Sequence, residues 1–137
     1  MNFLDLDGKT IVVFGVANRK SVAYHVGRVL SEAGARVLYV VRSEERKSQL
    51  NKILNDAPIF VCDVEDERQI ASLRERVAVG ETVIHGLVHS IAFAEYEDGI
   101  KPFHETGKRE FLRAVDISCY SLIAICNQFK ELLDADA

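Results

Sequence analysis

The chain has 137 residues, 48% hydrophobic, 28% charged and 8% aromatic, which suffices to bury one core and predicts a single domain over residues 1–137. Lys and Arg number 17 against 21 Asp and Glu, a net charge of −4 with no long single-sign block, which excludes nucleic acid as a partner. No apolar run approaches the roughly 20 residues that span a bilayer, and Met1 to Lys9 carries Asp5 and Asp7 where an export leader is basic, so no membrane partner is expected.

In chain order, Thr10 to Phe14 is a short, β-branched apolar run stopped by Gly15, the pattern of a strand buried on both faces. Val22, Val26, Val29, Leu30 and Ala33 then recur at helical spacing from Ser21, with Gly34 at the C-cap position. Arg36 to Val41 is a second buried strand. Ser43 can cap a charged helix carrying Leu50, Ile53 and Leu54, and Pro58 to Cys62 is a third strand. Ile70, Leu73 and Val77 mark a helix from about Glu65 to Val79, and Thr82 to His89 a fourth strand. Residues 90–106 read as an irregular loop. From Glu105 or Thr106 a helical pattern runs to about Leu133, with Phe111, Leu112, Val115, Cys119, Leu122, Ile123, Cys126 and Phe129 on one stripe and a bend near Asp116 to Ser118.

Strands alternating with helices predict an α/β, Rossmann-like, doubly wound parallel sheet of about four strands in the order 3-2-1-4, with helices on both faces. Its ligand crevice lies beyond the carboxyl ends of the strands. The residues in question are therefore Gly15 to Ser21, Val41 to Ser43, Asp63 and Val64, and Ser90 to Ala94.

Between the first strand and helix, the Gly15 to Ser21 backbone can present N–H groups to an anionic diphosphate. The spacing matches neither the ordinary dinucleotide fingerprint, since Ala17 replaces the second glycine, nor a Walker A loop. The plain alternative is a tight turn capped by Ser21. Asp63 can accept a hydrogen bond from an adenine amino group while Val64 packs on the ring, or Asp63 can simply cap the following helix. Arg42 suits a 2′-phosphate, with Glu44 and Glu45 near enough to blunt that preference, or is a solvated charge.

The four histidines form no metal-ligand cluster: His85 and His89 would stand about 13 Å apart along one strand, and no metal is expected. No tyrosine has a lysine beside it at helical spacing, so none is assigned as a proton donor. An acidic pair ending the first strand, as Mg²⁺-binding receiver domains carry, is absent. Cys62, Cys119 and Cys126, odd in number and in apolar surroundings, read as buried, reduced thiols in a cytoplasmic protein.

Four strings occur in order: Gly15-x-Ala17-Asn18-x-x-Ser21-Val22-Ala23, Cys62-Asp63-Val64, His89-Ser90-Ile91-Ala92-Phe93-Ala94 and Asp116-Ile117-Ser118-Cys119-Tyr120-Ser121. Together they resemble the bacterial enoyl-acyl-carrier-protein reductases, a divergent branch of the short-chain dehydrogenase/reductase family. The resemblance implies that Gly15, Ser21 and Val22 hold the pyrophosphate and neighbouring ribose, that Arg42 lies near the adenosine ribose, and that Asp63 and Val64 hold adenine. It also implies that Ile91 passes beside the cofactor, NADH or NADPH, and that Ala94 borders an enoyl substrate carried on acyl carrier protein. The implied chemistry is hydride delivery to the β-carbon of a trans-2-enoyl thioester during fatty-acid elongation, by a homotetramer. In that family the active-site tyrosine and lysine follow the next strand, so the chain is expected to be the N-terminal, cofactor-binding portion and to hold no catalytic residue. Its last residues, Glu131 to Ala137, lack a capping box or turn and read as an interruption. Two other readings stand beside this one: a short-chain reductase of ketones or alcohols, against which Ser90-Ile91-Ala92 speaks, and a non-catalytic nucleotide-binding module.

Overall fold

The first strand is central because every one of its residues is apolar enough, or paired enough, to lose contact with water. In the computed structural model, which describes residues 4–54, 56–96 and 99–137, β1 (Thr10–Phe14) is buried throughout. It pairs on one side with β2 (Arg36–Val41) and on the other with β4 (Gly86–His89), while β3 (Ile59–Val61) extends the sheet beyond β2. All pairings are parallel and the order is β3-β2-β1-β4, as the sequence predicts.

The pleat sorts alternate residues to the two faces. Val12, Phe14, Leu38 and Val40 pack with Ile70, Leu73 and Val77 of α3 (Glu67–Ala78) and with Ala124, Ile125 and Phe129 of α5 (Ser121–Phe129). Ile11, Val13, Val37, Tyr39 and Val41 pack on the other face with Ala23 of α1 (Val22–Glu32) and Leu50 of α2 (Glu44–Leu50). Tyr39 fills the space that Gly27 of α1 leaves, where a β-carbon would strike its ring. Ser43 caps α2 as expected, its hydroxyl accepting from the Arg46 amide at 3.2 Å.

The fourth strand is shorter than the predicted Thr82 to His89, for a hydrogen-bonding reason. The Ile84 amide donates to Leu132 O at 2.7 Å and its carbonyl accepts from Asp134 N at 2.8 Å. Ile84 is thus tied to the chain after α5, and pairing with β1 is left to Gly86–His89.

The long C-terminal helix is interrupted at the expected bend. α4 (Lys108–Val115) passes into a π-helical turn at Asp116–Tyr120 and then into α5. The predicted apolar stripe does not face the core: Phe111, Leu112, Val115, Leu122 and Ile123 are exposed, and only Phe129 of that set is buried. The inward residues are Ile117, Ser121, Ala124, Ile125 and Phe129. Cys119 and Cys126 are likewise exposed, which corrects the expectation of three buried thiols; Cys62 alone is buried, and burial pushes its thiol up to about 12. The predicted loop 90–106 contains one 3-10 turn, Phe103–Glu105, and its residues 97 and 98 lie outside the described residues. Among the described residues no helix is long and apolar enough to cross a membrane.

Candidate functional site

Parallel pairing brings the carboxyl ends of all four strands to one side of the sheet, and the segments that follow them surround a groove of about 250 Å³. Its floor begins at Gly15, with a φ of +98° that side chains disfavour. A β-carbon there would also run into the Ser90 carbonyl, so the residue type follows from both conformation and space. The close approach is held by Ser90 N donating to Phe14 O at 3.2 Å and Gly15 N donating to Val40 O at 3.3 Å.

From the first loop come Gly15, Val16 and Ala17; from the end of β2 come Val41 and Arg42. Cys62, Asp63 and Val64 follow β3, and Ile91, Ala92 and Phe93 follow β4. Of the residues singled out in the sequence, Gly15, Arg42, Asp63, Val64 and Ile91 therefore share this groove. Ser21, Val22 and Ala94 do not line it. Val22 is largely exposed, and Ala94 borders a separate depression of about 190 Å³ with Glu95, Tyr96, Thr106 and Glu110.

Ser21 stands at the N-cap of α1 with extended backbone, yet its hydroxyl makes no bond to that helix. It accepts instead from the amides of Ala17 at 3.3 Å and Asn18 at 3.4 Å and donates to Asn18 O. The expected side-chain cap is thus absent, and the hydroxyl braces the loop between β1 and α1. Asp63 is not the cap of α3 either: Asp66 is, accepting from Arg68 N at 3.0 Å. One Asp63 oxygen accepts from Glu65 N at 3.1 Å, closing a turn, and the other lies 3.5 Å from Arg42 Nε. The Arg42 guanidinium also stands 5.9 Å from the Phe93 ring centroid, so it is not a freely solvated charge.

Phe93 lies in the groove within the Ser90 to Ala94 segment the sequence pointed to, whereas sequence reasoning missed Arg46 and Ile117 as groove residues. Arg46, one turn into α2, donates to Ala17 O at 3.1 Å and so ties that helix to the first loop. Ile117 reaches the groove from the π-helical turn, whose neighbouring Ser118 hydroxyl accepts from Phe93 N at 2.9 Å and donates to Phe93 O at 3.3 Å. Such a wide turn is a recurrent feature of functional sites, and the bend expected near Asp116 was its only trace in the sequence. Below it, Ser121 donates to Ile117 O at 2.7 Å and lies 2.8 Å from His89 Nε2. With the serine proton committed, the imidazole supplies the Nε2–H. Burial holds His89 below its ordinary pKa of 6.5, which favours the neutral ring.

The groove thus joins Gly15 and Ala17 of the first loop, apolar surface from Val64 and Ile91, and the Asp63 carboxylate. The sequence profile described as enoyl-(acyl carrier protein) reductase matches residues 15–137. A relative from Staphylococcus aureus, named as an NADPH enoyl-acyl-carrier-protein reductase, is 36% identical over 135 residues, covering 95% of this chain and 53% of the relative. One from Bacillus subtilis, named as an NADH enoyl-acyl-carrier-protein reductase, is 37% identical over 142 residues, covering 97% of this chain and 53% of the relative. The crystal structure of the enoyl-acyl-carrier-protein reductase (NADH) of Aquifex aeolicus superposes with a TM-score of 0.88 at 28% identity, over 95% of this chain and 52% of that one. The chain thus spans about half the length of the relatives it matches. Profile, relatives and fold agree over nearly all of its residues, and this chain belongs to the enoyl-(acyl carrier protein) reductase family.

Proposed function

We propose that the protein carrying this chain reduces trans-2-enoyl-acyl-carrier-protein in fatty-acid elongation, using NADH or NADPH, and that residues 1–137 form one cofactor-binding domain of it. The observation that carries the reading is the shared groove of Gly15, Arg42, Asp63, Val64 and Ile91 at the carboxyl edge of the sheet. Membership of the family, and relatives named for NADPH and for NADH, support it.

The residues fit a dinucleotide. Gly15 lets the loop after β1 close against the Ser90 carbonyl, and a diphosphate would lie along that loop to Ser21 and Val22, at the N-terminus of α1. Val64 and Ile91 give apolar surface on either side of an adenine, and Asp63 accepts from its amino group. Arg42, at the end of β2, stands where a ribose or its 2′-phosphate would lie. When bound, the cofactor supplies a hydride for the β-carbon of the enoyl thioester, whose chain would pass Ala94.

By the resemblance, the proton donor to the enolate oxygen is the family's tyrosine, which follows the next strand, and stabilising such an oxyanion is the largest electrostatic demand of the reaction. A cytoplasmic homotetramer is the assembly the resemblance implies. Titrating the full-length protein with NADH and NADPH, followed by nicotinamide fluorescence, tests the reading. Saturable binding of one or both supports it, and binding of neither removes it.

A further inference from the structure

One side chain outside the groove reaches both of its walls. Arg113, on α4, makes a two-pronged contact with Glu65, Nε to Oε1 at 2.7 Å and Nη2 to Oε2 at 3.1 Å. Glu65 follows Asp63 and Val64 directly, at the turn that forms one wall. The same guanidinium lies 3.4 Å from Glu95 Oε2 through Nη1 and covers the Phe93 ring at 4.9 Å from its centroid. Phe93 lines the groove after Ile91, and Glu95 follows it at the neighbouring depression. Arg113 and Glu65 are each about two-thirds withdrawn from solvent and the Glu95 carboxylate is 6% exposed, so these contacts are less screened than surface pairs. Arg109 meets the other Glu95 oxygen at 3.3 Å. Among the described residues Glu95 Oε2 has no hydrogen-bond partner, so Arg113 is the cation that balances a buried carboxylate oxygen.

The Phe93 ring therefore has Arg113 near it as well as Arg42, which is itself paired with Asp63. Its backbone is held by Ser118. A chain of contacts runs from Asp63 through Arg42 and Phe93 to Arg113 and back through Glu65 to the same turn. We propose that Arg113 is a positioning residue for the nucleotide groove, clamping the turn at Asp63 to Glu65 against the segment Phe93 to Glu95 so that the walls facing an adenine keep their spacing. The role rests on the dinucleotide reading above, since it is the adenosine end whose fit the clamp sets.

The test uses the full-length protein, with adenosine 5′-monophosphate and NADH as probes in calorimetric titrations of wild type, Arg113→Leu, Arg113→Lys, Glu65→Gln and the double variant Arg113→Leu/Glu65→Gln. Loss of one two-pronged, half-buried charged contact is expected to weaken both probes about three- to tenfold in Arg113→Leu and in Glu65→Gln. The double variant is expected to lose no more than Arg113→Leu alone, because the Glu65 bond is already gone there. Arg113→Lys, which keeps the charge without the fork, should recover part of the affinity. In turnover the KM for NADH should rise with kcat held. Unchanged affinity for adenosine 5′-monophosphate in both single variants, or losses that multiply in the double one, would overturn the clamp. Glu65→Gln carries the same test should Arg113→Leu fail to fold. If wild type binds neither probe, the groove reading falls and the clamp with it; if wild type binds both and the variants match it, the clamp alone falls.

Discussion

Gly15 and Ser90 approach so closely that the carbonyl of one occupies the place where a β-carbon of the other would stand. This contact joins the loop after β1 to the segment after β4, the two neighbouring strands whose divergent loops open the groove.

Gly15→Ala must therefore move a backbone as well as accept a φ of +98°. The substitution is expected to lower stability by at least about 2 kcal/mol and to weaken dinucleotide binding by tenfold or more. Thermal unfolding and NADH titration of the purified variant measure the two effects, and a variant with wild-type values for both contradicts the placement.

Ser21 gives a graded expectation. Ser21→Ala removes the loop's hydroxyl brace to Ala17 and Asn18 and should weaken dinucleotide binding about fivefold, the worth of one net hydrogen bond. Ser21→Asp sets a negative charge beside a diphosphate and should weaken it further, by tenfold or more. Fluorescence titration of both variants against NADH checks the order of the losses; equal affinities for wild type and Ser21→Asp rule out a diphosphate at this loop.

Arg42→Gln separates the two cofactors. The guanidinium pairs with Asp63 and lies beside Phe93 in the groove, where a 2′-phosphate would meet it. Affinity for NADPH should fall about tenfold, while affinity for NADH changes by less than about threefold. The ratio of the two dissociation constants is the quantity to compare, and an unaltered ratio means Arg42 does not read the 2′ position.

His89 makes a stability prediction whose sign follows from its burial. Desolvation lowers its pKa in the fold below the ordinary 6.5. Above that value both folded and unfolded chains hold a neutral imidazole, and nothing changes with pH. As pH falls below about 6.5 the unfolded chain takes up the proton and the folded one does not, so stability declines until the folded pKa is reached. His89→Gln, which keeps a donor for Ser121, should flatten this part of the Tm profile below about pH 6.5. Persistence of the full slope in the variant assigns it to another group.

Much of this was legible in the sequence because the strands are buried on both faces. Continuous apolar runs such as Thr10–Phe14 and Arg36–Val41 admit few readings, and alternation with helices then dictates a parallel sheet and the edge at which loops converge. Gly15, Arg42, Asp63, Val64 and Ile91 were placed in one groove by that logic and by the resemblance. The rest was hidden for identifiable reasons. Ser21 and Asp63 carry side chains suited to helix caps, and only the coordinates show the hydroxyl bracing its own loop and the cap passing to Asp66. Along α4 and α5 both faces carry apolar residues, so Leu122 and Ile123 competed with Ser121 and Ala124 for the inward stripe, and spacing could not decide. Arg113 and Glu65 are 48 residues apart, a separation at which no local pattern signals a contact.

The most direct test is a crystal structure of the full-length protein with NADH or NADPH bound. The account predicts adenine between Val64 and Ile91 with its amino group on the Asp63 carboxylate, and the diphosphate against the Gly15 to Ser21 backbone. A dinucleotide seated elsewhere, with these residues untouched, would contradict it.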